Sequence, residues 1–223
     1  MLNGLLILDK PAGITSAAAV NRVKQLLPRG TKIGHAGTLD PFATGVLILL
    51  IGKATKQCES LMNQPKQYEA TIKLGASTPT DDPESPEEVS HNVSAIDRAQ
   101  VEAILPRFTG AIAQVPPLYS ALKIKGKRAC DRIRAGQQLQ LQPRTVHIYR
   151  LEILRYEWPE LDLRIDCGRG TYIRALARDI GQALGVGAHL LRLRRTRVGE
   201  YDLSHALLLD PLDETRVREA LKS

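Results

Sequence analysis

The stretch GHAGTLDPFATGVLILLIG, residues 34–52, constrains the fold more than any other. Its second half, from Val46 to Ile51, is an unbroken apolar run of strand length, so it reads as a buried strand. Its first half sets Gly34, Gly37 and Gly45 around Asp40-Pro41. Glycine permits turns that other residues resist, and the proline biases Asp40 toward extended backbone. A lone carboxylate is thereby expected at the mouth of a buried strand. Two roles fit that position. One is an Asx-type turn that bonds neighbouring amides; the other is a nucleophile or base.

The surrounding chain supplies the rest of a mixed α/β core. Leu5 to Leu8 reads as a buried strand ended by Asp9-Lys10-Pro11. Thr15 or Ser16 caps a helix carrying Val20, Val23, Leu26 and Leu27, stopped by Pro28 and Gly30. Tyr68, Ala70, Ile72 and Leu74 alternate with Glu69, Thr71 and Lys73, a strand with one apolar face. Residues 76–94 are rich in Ser, Pro and acid and read as a solvated loop. Asp97 caps a helix with Val101, Ile104, Leu105 and Phe108, which Pro106 should kink or end. A strand from Thr145 to about Trp158 changes phase near Arg150, which implies a bulge. Leu161, Leu163, Ile165 and Cys167 form the next strand. Ile173, Leu176, Ala177, Ile180 and Leu184 then share a helix face ending at Gly185. The expected fold is one α/β (mixed α+β) domain over residues 1–223. Its sheet is mixed, mostly antiparallel and flanked by helices and loops.

Charge points to a polyanion. There are 31 Lys+Arg against 24 Asp+Glu, a net +7. Lys123, Lys125, Lys127, Arg128, Arg132 and Arg134 crowd one segment. Arg192, Arg194, Arg195 and Arg197 crowd another. Such clusters suit a phosphate backbone, where binding releases condensed counterions. Aromatics make up only 4%, so a long stacking platform for single strands is not expected. The scattered Cys58, Cys130 and Cys167, with no CxxC, suggest reduced thiols in the cytoplasm and no zinc site. The string a P-loop needs is absent, as is GxSxG. In Gly170-Thr171-Tyr172-Ile173-Arg174 an extended backbone would send Tyr172 and Arg174 to the same side. There a tyrosine can stack on a base and an arginine can pair with a carboxylate or phosphate.

Taken together, GLLILDKPAGITS, GHAGTLDPFATGVL, GKATK, YEATIKLG, VPPLYSALKIKGKRA and GTYIRALARDIGQALGVGAHLLRLRRTRVG resemble the TruB family of tRNA pseudouridine synthases. They keep that family's order over about residues 3 to 203. The resemblance implies a pseudouridine synthase fold and a cofactor-free, metal-free isomerase. Its partner would be the T-stem-loop of tRNA, where uridine 55 is flipped out and isomerised. Asp40 would be the catalytic nucleophile. His35 would fill the space left by rearranged loop bases, and Tyr68 would stack on the target base. Tyr172 and Leu193 would be pocket walls, and Arg174 would pair with Asp40. Lys10 and Pro11 would be structural supports beneath the site.

RNA-backbone contacts would come from Lys123, Lys125, Lys127, Arg128, Arg132, Arg192, Arg194 and Arg195, with an RNA-gripping segment at about 120–145. The chain ends about twenty residues past the last matched motif, so a separate C-terminal RNA-binding domain is not expected. Cys130 and Pro106 depart from the family pattern. A monomer with no membrane contact and no obligate protein partner is expected. A tRNA-binding folding helper with secondary or lost catalysis is the alternative class.

Overall fold

The computed structural model describes residues 2–89, 94–120, 122–124 and 126–221. Two compact units divide the chain. The first comprises Met1–Glu69 and Leu193–Ser223, the second Ala70–Arg192.

Along the chain, β1 (Gly4–Lys10) leads into α1 (Ser16–Gln25). Thr15 caps that helix by accepting the Ala18 N–H through its side chain. β2 (Ile33–His35) and β3 (Thr44–Ile51) flank the glycine-rich loop. A 3-10 turn and α2 (Cys58–Asn63) precede β4 (Lys66–Leu74). β5 (Ala76–Ser77) pairs with β6 (Glu88–Val89). α3 (Arg98–Ile104) starts at a capping box formed by Asp97 and Gln100. It tightens at Pro106 into a 3-10 turn over Leu105–Phe108, as a missing amide requires. β7 (Gly110–Gln114) follows, then the hairpin of β8 (Lys123–Ile124) and β9 (Lys127–Arg128), and α4 (Ala129–Arg134). β10 (Arg144–Glu157) and β11 (Glu160–Cys167) form a long hairpin. α5 (Ile173–Ala183), β12 (Ala188–Val198), β13 (Tyr201–Asp202), β14 (Leu207–Leu208) and α6 (Glu214–Ala220) complete the chain.

In the first unit the strand order is β14-β1-β3-β12. β1 and β3 pair antiparallel from Gly4↔Ile51 to Lys10↔Gly45, so β1 runs two residues past the expected end at Leu8. β14 lies parallel to β1. β2 covers the Leu49–Ile51 end of β3, and β12 runs parallel to its Thr44–Gly45 start. β3 is buried from Gly45 to Ile51, as its apolar run demands. Ile7, Val46, Ile48, Leu50, Leu61 and Val198 form part of one core cluster there. In the second unit β4, β11, β10 and β7 are neighbours in that order. The expected bulge appears where the β10–β11 register shifts between Ile148 and Arg150. The mixed, mostly antiparallel sheet with flanking helices matches the sequence reading.

Two expectations change. The acid-rich loop is not wholly solvated: Thr78 and Asp82 are buried. Its residues 90–93 lie outside the described residues. The cluster LLRLRRTR is a strand, β12, whose alternation hides some arginines and exposes others.

Candidate active site

In the first unit Asp40 is half-buried, and both its neighbours in the chain are clamped. The Ser16 hydroxyl donates to the Leu39 carbonyl at 3.0 Å and accepts the Leu39 N–H at 2.9 Å. On the other side, the Pro41 carbonyl accepts the Gly13 N–H at 2.9 Å and the Lys10 ammonium at 3.2 Å. Lys10 is fully buried, and its ammonium also donates to the Pro11 and Ile14 carbonyls at 2.8 Å each. Those carbonyls replace water around the charge, which burial would otherwise penalise heavily. The Ala43 N–H closes the turn on the Asp40 carbonyl at 3.1 Å. A carboxylate whose backbone is fixed from both sides has little left to reorganise, which suits a nucleophile. Lys10 thus has the structural role that the resemblance implied.

Arg195 holds the same loop from β12. Its guanidinium donates to the Val46 carbonyl at 2.7 Å and the Gly37 carbonyl at 3.1 Å. Gly45, at φ +103°, lies against the Arg195 backbone, and a Cβ there would stand 2.1 Å from the Arg195 oxygen. Only glycine fits. Arg195 is 1% exposed, so the expectation that it contacts an RNA backbone gives way to a framing role.

His35 ends β2, and its Nδ1 is buried and meets the hydrogen-bond geometry with no partner among the described residues. Burial, then the nearby Arg195 charge, lower its pKa from the ordinary 6.5, while a Gly37 backbone contact opposes them. The folded chain therefore binds fewer protons than the unfolded one just below that value. Stability should fall as pH drops through about 6.5 toward the depressed folded pKa. Thermal midpoints measured from pH 7 to pH 5 should show this slope, and His35→Gln should flatten it (a range set around the imidazole pKa of about 6.5). Tyr68 on β4 and Leu193 on β12 are buried, at 8% and 7% exposure. Asp40, His35, Tyr68 and Leu193 all belong to the first unit.

The second unit holds Tyr172 and Arg174. Tyr172 is the N-cap of α5, with extended backbone, and the helix starts at Ile173. Arg174 is therefore in the first helical turn, and the same-side geometry of a strand does not apply. It is 4% exposed and donates to the Asp82 carboxylate at 2.8 Å and the Thr80 and Tyr119 carbonyls at 3.0 Å each. Asp82 is 1% exposed and also accepts the Thr80 hydroxyl at 2.6 Å and the Glu84 N–H at 3.0 Å. One turn on, Arg178 donates to Asp81 at 2.9 Å and to the Val115 carbonyl at 2.8 Å. Burial raises the Asp81 pKa against the pull of Arg178.

The other predicted RNA contacts fall on several elements of the two units. Lys123, Lys127 and Arg128 lie on the β8–β9 hairpin, Arg132 is in α4, and Lys125 falls outside the described residues. Arg192 is exposed and reaches Glu160 at 3.0 Å. Arg194 pairs with Asp9 at 2.6 Å and is part-exposed. Sequence reasoning missed Ser16, Gly13, Asp82 and the buried role of Arg195. Among the described residues no group of three His, Cys, Asp or Glu is placed to hold a metal ion.

Comparison with known proteins adds the following. Residues 24–173 match the family described as TruB family pseudouridylate synthase (N terminal domain). Residues 174–222 match the tRNA pseudouridylate synthase B C-terminal domain. The chain is 50% identical to tRNA pseudouridine synthase B of Burkholderia lata, over 96% of this chain and 66% of that protein. It is 47% identical to the protein of the same name from Stutzerimonas stutzeri, over 95% and 69%. The chain thus spans about two thirds of the length of these relatives. Among solved structures, a Cbf5-Nop10-Gar1 complex is similar with a TM-score of 0.72 and 33% identity, covering 92% of this chain and 52% of that one.

Proposed function

The chain belongs to the TruB family of pseudouridylate synthases, and from that premise we propose that it converts uridine 55 in the T-loop of tRNA to pseudouridine. The observation that carries the reading is the carboxylate of Asp40, held on a loop clamped by Ser16, Lys10 and Arg195. In this reaction the bond from the sugar to N1 of uracil breaks and a bond to C5 forms. The C5 proton leaves, and N1 gains one, so the change is an isomerisation. It requires a flipped base, dry walls and one nucleophile.

On this reading Asp40 does the chemistry at the nucleotide. Tyr68 stacks on the base, and Tyr172 and Leu193 complete the walls. His35 enters the RNA loop, where a neutral imidazole displaces bases at little desolvation cost. Arg174 serves as the cation that keeps Asp40 ionised. These roles rest on the family resemblance and on the burial of Tyr68, Leu193 and Arg174. The enzyme works as a cytoplasmic monomer without a protein partner. Among the described residues no helix is long and apolar enough to cross a membrane.

The test is release of tritium from 5-tritiated uridine in a T-stem-loop RNA by the purified chain alone. Release establishes both the activity and its independence of partners. Tight RNA binding without release would favour the folding-helper class. Affinity should fall steeply with salt, by about tenfold or more between 50 and 200 mM (a range set by several phosphate contacts). A flat response in a filter-binding assay would remove the basic clusters from the grip.

A further inference from the structure

Gln114 ends β7, opposite Arg144 of β10, and is 1% exposed. Its side chain closes on the backbone of Tyr172, 58 residues away. The amide oxygen accepts the Tyr172 N–H at 2.8 Å, and the amide nitrogen donates to the Tyr172 carbonyl at 3.1 Å. One primary amide thus meets both polar groups of one residue, as a paired strand would, and shares the carbonyl with the first bond of α5, from the Leu176 N–H at 3.1 Å. Tyr172 is the N-cap of α5 and makes no side-chain capping bond. The turn is held by that helical bond and, from outside, by Gln114. Thr171 adds a second tie, donating to the Gly168 carbonyl at 3.1 Å.

We propose that Gln114 is a positioning residue: its buried amide fixes the direction in which the Tyr172 ring leaves the turn, and so sets the wall against which the substrate base rests. The inference rests on the reading of Tyr172 as a pocket wall. It adds a link that the sequence hides, because Gln114 and Tyr172 are distant in the chain. The same residue opens the segment Val115–Ser120, whose Val115 and Tyr119 carbonyls are held by Arg178 and Arg174.

Gln114→Glu tests this with a readout that a packing role would not give. A protonated carboxyl keeps both bonds: its O–H donates to the Tyr172 carbonyl and its C=O accepts the Tyr172 N–H. Ionised, it loses the donor and turns a negative oxygen on that carbonyl. Burial should raise the new group's pKa toward the working range. The variant's kcat in tritium release should fall about tenfold as pH rises through that titration, the size expected for one lost buried hydrogen bond. KM should change less than about twofold, since phosphate contacts are untouched. Wild type should lack this limb. Gln114→Met should show a similar loss at every pH, and far-ultraviolet circular dichroism confirms that each variant is folded.

In a Tyr172→Ala background the limb should vanish, because no ring is left to misplace. A limb that persists there at full size would overturn the proposal. So would a wild-type pH profile in Gln114→Glu together with full activity in Gln114→Met. If Tyr172→Ala alone turned over at the wild-type rate, Tyr172 would be no wall and the proposal would fall with it. That result would leave the activity itself to be judged by Asp40.

Discussion

Asp40→Asn is expected to lower tritium release by about four to six orders of magnitude, the span seen when members of a catalytic unit, the nucleophile at its upper end, are removed. Asparagine keeps the shape of the side chain. The main-chain clamps on Leu39 and Pro41 do not involve the carboxylate, and neither does the turn from the Ala43 N–H to the Asp40 carbonyl. The loop should therefore stay in place while the nucleophile is gone. RNA affinity, carried by backbone contacts, should change by no more than about threefold. Measuring turnover and binding on the same preparation separates the two. Retained turnover would remove Asp40 from the chemistry. A parallel loss of binding and turnover would mean that the loop had moved.

Asp82→Ala is expected to destabilise the fold by about 3–5 kcal/mol, because it removes the buried carboxylate that the buried Arg174 guanidinium meets at 2.8 Å. The pair is almost fully buried on both sides, at 5% and 1% side-chain exposure. Two further bonds, from the Thr80 hydroxyl and the Glu84 N–H, also end on Asp82. A urea titration should show the shift in midpoint. The double variant Asp82→Leu, Arg174→Met should recover much of that stability, since replacing both charges avoids stranding either one. It should not recover activity if Arg174 serves the site. Recovery of both would reduce Arg174 to a packing element. An unshifted midpoint in Asp82→Ala would mean that water or another group replaces the carboxylate at no cost.

Local signals carried the fold a long way. The helix cap at Asp97, the break at Pro106 and the bulge near Arg150 all depend on neighbours within a few residues, and each appears as expected. The apolar run from Val46 to Ile51 could only be a strand covered on both faces. Arg195 was not legible because a run of arginines reads as a basic face. Its burial depends on strand phase in β12 and on the carbonyls of Gly37 and Val46, about 150 residues earlier. Asp82 was hidden for a similar reason: its partner lies 92 residues on, and five acids in one loop look like solvated surface. The candidate nucleophile itself was ambiguous from spacing alone. What the sequence lacked was any sign that Ser16 and Lys10 reach across to the residues on either side of it.

Those reaches make the Asp40 loop a two-part object. The strand and loop around Asp40 hold their shape against a second piece of chain, Lys10 to Ser16. Anyone moving this aspartate into another scaffold would need to transplant both pieces in register. A fragment beginning at Ile33 would carry the whole GHAGTLDPFATG string and still lack the fixture that aims it.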